Sequence, residues 1–150
     1  MKVNGVNMAT IKAVCISEKK GTAKKNIGQA ELIENFGLKD DAHAGDWHRQ
    51  VSLLSYEKIE EFKALGVDVK DGDFGENLIV EGIDLAKLPI GTKITINQVL
   101  LEVTQIGKEC HTGCAIAQAV GKCIMPTEGI FARVLKGGTV QTGDKVILGQ

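Results

Sequence analysis

Three of the four cysteines, Cys110, Cys114 and Cys123, fall within fourteen residues, and His111 sits among them. The thiolate is the form of cysteine that attacks, exchanges with disulfides and ligates soft metals. Cys110 follows an apolar alternating stretch, Val99 to Thr104, and then Gln105-Ile106-Gly107-Lys108-Glu109. A thiol just past a strand end, on a glycine-containing loop, can face a cleft. Lys108, and the N-terminus of a helix expected near Cys114, favour its thiolate. Cys110, His111, Cys114 and Cys123 could instead form a zinc or iron–sulfur site, although their spacing lacks the paired C-x2-C knuckles of zinc domains. Cys15 stands apart on a strand and reads as a small core hydrophobe. A second group comprises Asp41, His43, Asp46 and His48. It could hold a hydrolytic metal, or its side chains could bond to the backbone of their own loop.

The surrounding chain narrows the chemistry. No two glycines are separated by a single residue, so no G-x-G-x-x-G motif exists. Neither Gly107-Lys108 nor Gly121-Lys122 completes a P-loop, and none of Ser17, Ser52 and Ser55 lies in G-x-S-x-G. Eighteen basic residues against nineteen acidic ones leave a net charge of −1, which removes the electrostatic case for nucleic-acid binding. Apolar runs such as Ala13-Val14-Cys15-Ile16 are far shorter than the ~18 residues of a membrane span. No secretory signal opens the chain, so a reducing cytoplasm with free thiols is the expectation.

The elements that position these residues are short strands. With 150 residues, 43% apolar, a single domain over 1–150 is expected, its core running from about 9 to 149. Eighteen glycines beside two prolines indicate many tight turns. Ile11 to Ile16 alternates and reads as a strand, Leu78 to Val80 reads as a short apolar strand, and Gln50 to Leu54, Ile130 to Leu135 and Lys145 to Leu148 read as further strands. Lys93 to Ile96 and Val99 to Thr104 read as a hairpin across Asn97-Gln98. Ser55 is a suitable N-cap for a helix with Tyr56, Ile59 and Phe62 on its inner face and Gly66 as its stop. Ala115 to Val120 reads as a second short helix. Gly137-Gly138 reads as a turn, and Lys19, Lys20, Lys24 and Lys25 as a basic loop, either solvated or phosphate-contacting. The sum is a mainly β domain, barrel-like, with α additions.

Several stretches in this order resemble the MOSC domain, the C-terminal domain of molybdenum-cofactor sulfurases that also occurs alone. They are His48-Arg49-Gln50-Val51-Ser52, Gly72-Asp73-Phe74-Gly75-Glu76-Asn77-Leu78, Leu88-Pro89-Ile90-Gly91 and Glu102-Val103-Thr104-Gln105 leading to Cys110. Gly129 to Gly138 and Gly143-Asp144 resemble the closing segment. One departure is Asp40-Asp41-Ala42-His43, where the family often has Gly-Asp-Arg-His.

The resemblance implies a MOSC-type β-barrel and a cleft for the molybdenum cofactor, a phosphorylated molybdopterin. The family's cysteine falls on Cys110, which would carry sulfur or ligate molybdenum. His48, Arg49, Asn77 and Arg133 would contact the cofactor, arginines being suited to planar, bidentate donation. The role implied is sulfuration, maturation or trafficking of that cofactor. A pyridoxal-phosphate-dependent cysteine desulfurase would supply sulfur. If the domain instead reduces N-hydroxylated compounds, as some relatives do, an electron-transfer protein is needed. A non-catalytic cofactor- or metal-binding module is the remaining class.

Overall fold

The computed structural model describes residues 2–3, 6–7, 9–20, 22–107 and 128–149. In chain order the strands are β1 (Lys2–Val3), β2 (Val6–Asn7), β3 (Ala9–Ile16), β4 (Lys25–Asn26), β5 (Gln29–Ile33), β6 (Gly37–Leu38) and β7 (Val51–Ser55). Helix α1 (Tyr56–Lys63) follows, then β8 (Leu78–Glu81), a 3-10 turn at Leu85–Lys87, β9 (Lys93–Ile96) and β10 (Val99–Ile106). The chain ends with β11 (Ile130–Lys136), β12 (Gly138–Gln141) and β13 (Lys145–Leu148). No helix among the described residues is long and apolar enough to cross a membrane.

Seven strands close on themselves in the order β13-β9-β10-β11-β7-β8-β3, with β13 pairing back onto β3. The closing register sets Lys145 opposite Thr10 and Val146 opposite Ala9. Alternate residues point inward, so Val51, Leu53, Leu78, Leu101, Val103 and Ala132 belong to one buried interior cluster. The expected β-barrel is therefore present. The hairpin turns at Asn97, which takes a left-handed φ of 55°. All its neighbours pair antiparallel except β7 and β8, which run parallel because α1 carries the chain across between them.

Helix α1 lies on the outer face of the barrel. Its Ile59 and Phe62 are buried with Cys15, Leu54, Ile79 and Phe131 in a second apolar cluster. Phe62 meets Phe74 edge-on, ring centroids 5.2 Å apart. The inner stripe and the stop at Gly66 (φ 93°) follow the sequence pattern. The cap does not. Ser55 occupies the N-cap position, but its hydroxyl donates to the Ile83 carbonyl (2.7 Å) and accepts from the Leu85 N–H (3.0 Å). A buried loop with unpaired backbone groups claims a buried hydroxyl more strongly than a helix end open to water.

Two further features depart from expectation. Gly138 begins strand β12 rather than completing a turn, because Gly138–Gln141 pairs with β5 in a separate three-stranded sheet. The lysine-rich loop is not uniformly solvated: Lys24 is only 2% exposed, whereas Lys19, Lys20 and Lys25 face solvent.

The segment before β8 is held by buried polar groups. Glu76 is wholly buried, and its two carboxylate oxygens accept the N–H groups of Gly72 (2.9 Å) and Phe74 (3.0 Å). Gly72 in turn packs on Lys24: its carbonyl accepts the Lys24 N–H, and a Cβ there would stand 2.1 Å from the Lys24 carbonyl oxygen. Its φ of 89° adds to the requirement for glycine. Gly72→Ala should therefore cost about 3–5 kcal/mol or prevent folding. Gly75→Ala, also at positive φ (84°) but with nothing within 4 Å, should cost about 1–2 kcal/mol. Urea midpoints of the two variants separate these outcomes.

Burial lifts the Glu76 carboxyl from its ordinary 4.5 to about 7, against the opposing pull of the Gly72 and Phe74 N–H donors and with a smaller push from Asp71. Between those two values the folded chain keeps a proton that the unfolded chain has released. The resulting stabilisation, about 3 kcal/mol at most, is complete below pH 4.5 and is lost as pH rises through 7. The urea midpoint of the wild type should fall across this window relative to that of Glu76→Gln, which cannot ionise. Parallel profiles for the two proteins contradict this assignment.

Candidate functional site

A bulge in β10 builds the site. The register between β10 and β11 slips between Val103 and Gln105, so Gln105 stands opposite Phe131 and Thr104 is the extra residue. The Thr104 hydroxyl donates to the His48 carbonyl, which fastens the segment entering β7 to the bulge. Gln50 anchors the same segment from inside. It is wholly buried, accepts the Val134 N–H (2.9 Å) and donates to the Asn35 side chain (3.1 Å).

Gln105 then gathers the two neighbouring residues. Its amide nitrogen donates to the Gly107 carbonyl (2.7 Å), which fixes the amide orientation and leaves Oε1 as acceptor. That oxygen takes the Arg49 Nε–H at 3.0 Å and lies 2.8 Å from His48 Nε2. An amide oxygen cannot donate, so the His48 hydrogen is on Nε2 and, in the neutral ring, Nδ1 is left as an acceptor. The Arg49 guanidinium stacks near Phe131 (5.3 Å to the ring centroid) and Trp47 (5.9 Å). No carboxylate pairs with it among the described residues, so its remaining N–H groups form a planar donor set without a countercharge.

Arg133 lies one strand away, opposite Glu102 on β10. Glu102 is held instead by Lys93 (3.4 Å). The Arg133 Nε is buried and has no hydrogen-bond partner among the described residues, a state that costs about 1–3 kcal/mol unless an acceptor arrives. Asn77 is of another kind. Only 1% exposed, it accepts the Ser52 N–H (2.9 Å) and donates to the Cys15 carbonyl (3.0 Å). Its amide is spent on joining β7 to β3 where β8 begins.

The remaining sequence candidates do not converge. Among the described residues no three His, Cys, Asp or Glu side chains are grouped to hold a metal ion. Asp41 and His43 turn toward Lys24, Asp46 toward Asn35, and His48 toward Gln105. Cys15 is fully buried, and burial, with the charges of Glu76 and Asp71, pushes its thiol well above the ordinary range. Cys110, His111, Cys114 and Cys123, with the helix expected at 115–120, lie outside the described residues. The flanks of that segment are joined: the Gly107 N–H donates to the Gly129 carbonyl at 2.6 Å. Sequence reasoning missed Gln105 as a site residue and Lys24 as a buried one. Gln105 stood inside a quoted motif, but only the bulge gives it two partners fifty-six and fifty-seven positions away.

Comparison with known proteins agrees with this architecture. The YuaD protein of Bacillus subtilis superposes with a TM-score of 0.79 at 21% identity, over 94% of this chain and 95% of that one. YiiM of Geobacillus stearothermophilus gives 0.71 at 17% identity, over 95% and 75%. YiiM of Escherichia coli gives 0.63 at 18% identity, over 97% and 70%. No curated protein matches the chain significantly by sequence. A family model described as the MOSC domain matches residues 40–147, which include β7, the Gln105 bulge and β11, and the chain thus belongs to the MOSC domain family.

Proposed function

We propose that this protein binds the molybdenum cofactor and that Cys110 carries sulfur to it or ligates its molybdenum, in maturation or trafficking of that cofactor. The MOSC family is associated with this cofactor and with sulfurase-like chemistry. The observation that carries the reading is the meeting of His48 and Arg49 on Gln105, two residues before Gly107 and five before Cys110.

The donor set fits a phosphorylated pterin. Among the described residues, only the Arg49 Nε–H has a hydrogen-bond partner in the guanidinium, and the buried Arg133 Nε lacks an acceptor. Both are suited to anionic oxygens and to the carbonyl edge of a pterin. His48 offers Nδ1 as an acceptor, while its Nε2–H is spent on Gln105. Bound there, the cofactor would supply a redox-active metal centre with soft sulfur ligands, to which a cysteine thiolate is matched. Asn77 acts behind these residues by fixing the strand that follows them. A cysteine desulfurase is the partner class that supplies sulfur in this role, and a cytoplasmic setting suits it.

Anaerobic co-purification tests the proposal through pterin fluorescence and metal content. Wild-type protein should retain pterin and molybdenum, and Arg133→Met should lose most of the pterin. Cys110→Ser should keep pterin but lose sulfur transfer or cofactor-dependent turnover. Zinc or iron without pterin would overturn the reading. Gln105→Leu removes the shared acceptor of Arg49 and His48. It should weaken pterin retention about tenfold, the equivalent of one or two hydrogen bonds, with little change in the urea midpoint.

A further inference from the structure

Aromatic side chains are scarce in this chain, and their placement is uneven. Of its four phenylalanines and one tryptophan, Phe62, Phe74 and Phe131 are buried, whereas Phe36 and Trp47 are 39% and 37% exposed. The two exposed rings stand on segments joined backbone to backbone, since the Gly45 N–H donates to the Phe36 carbonyl at 2.7 Å. Trp47 directly precedes His48 and Arg49. A single exposed apolar side chain is ordinary on a protein surface. One that is fixed in place beside a donor set with open positions is not.

Trp47 is pinned from several sides. Its Nε1–H donates to the His43 carbonyl (2.9 Å), and its backbone N–H donates to the Gly45 carbonyl (3.0 Å). His48 meets the indole edge-on, with ring centroids 6.0 Å apart and planes inclined by 69°. The Arg49 guanidinium lies over the ring at 5.9 Å and is itself tied through Nε to Gln105. The only side-chain donor of the indole is spent on a backbone carbonyl, so what remains is a flat apolar surface that is already ordered. Left in water, that surface forfeits the free energy of burial, which a ring laid on it would recover. Stacking selects a flat ring and tolerates many heterocycles. The Arg49 N–H groups without a partner among the described residues select anionic oxygens. A planar heterocycle bearing an anionic group satisfies both.

We propose that Trp47 is a stacking platform for the heterocycle of the bound ligand, set beside the Arg49 guanidinium that takes the ligand's anionic oxygens. The identity of the ring, a pterin, rests on the cofactor reading above. The platform adds a residue that distinguishes flat heterocycles from other anionic compounds. It acts in binding and takes no part in sulfur transfer.

The test uses the full-length chain, produced in cells that make no molybdenum cofactor and titrated with pterin-6-carboxylate. Binding is read from the anisotropy of the pterin's own emission. Stacking is read from the indole ring protons of the single tryptophan by NMR. In the wild type the pterin should bind and the indole protons should move upfield, as protons beneath an aromatic ring do. Trp47→Phe keeps a ring but loses the bond to the His43 carbonyl, and should bind within about threefold of wild type. Trp47→Leu should bind about tenfold or more weakly, with the urea midpoint little changed. Wild-type binding with unmoved indole protons, or a Trp47→Leu variant that binds as wild type, overturns the platform and leaves the cofactor reading standing. Absence of any pterin binding also overturns the platform, and pterin co-purification then decides the cofactor reading by itself. If Trp47→Leu does not fold, the wild-type indole protons decide.

Discussion

Closure of the sheet is the constraint on which everything else rests. β13 meets β3 and β9 at once, so the seven barrel strands share their backbone hydrogen bonds and leave no open edge between them. Closure sets the strand tilt and makes every second side chain interior. The interior is filled with aliphatic residues and has no place for charge. Polar chemistry is displaced to the outer face and to the segments that leave the barrel, and both Arg49 and Arg133 are found on or beside outer strand positions.

The barrel's pairing slips at several points among the described residues, and the slip at Thr104 is the one beside the site. The extra residue ties the His48 carbonyl to β10 and brings Gln105 opposite Phe131. Phe131 then has two roles. It belongs to the apolar cluster beneath α1, and it offers its ring to the Arg49 guanidinium. The packing that stabilises the helix thus also supports the donor set, so damage under α1 should reach the site through one shared side chain.

Away from the bulge, buried polar side chains replace regular pairing. Glu76 holds the turn at Gly72, Gly72 packs on the Lys24 backbone, and the Lys24 side chain reaches Asp41 and His43. Asn77 and Ser55 do comparable work at the two ends of β8. These groups are satisfied, which is what makes their burial tolerable. They also make neighbouring loops conditional on one another, because loss of any partner leaves another polar group unpaired in a dry environment.

The strands of the barrel, its hairpin and the inner stripe of α1 were legible in the sequence because each depends on a local period or turn. Lys145–Leu148 and Val99–Ile106 alternate whatever they pair with. The resemblance likewise singled out His48, Arg49 and Arg133, and the structure places them on or beside outer strand positions. Tertiary structure alone decided the rest. Gly138 became a strand because β5 was there to pair with it, and Ser55 left its cap because Ile83 and Leu85 needed a partner. Lys24 became buried outside the barrel's apolar cluster because Asp41 pairs with it, and Gln105 met residues more than fifty positions away because a bulge shifted the register. Periodicity is a property of neighbours along the chain; which polar group finds which partner depends on closure and register, and these exist only once the barrel has formed.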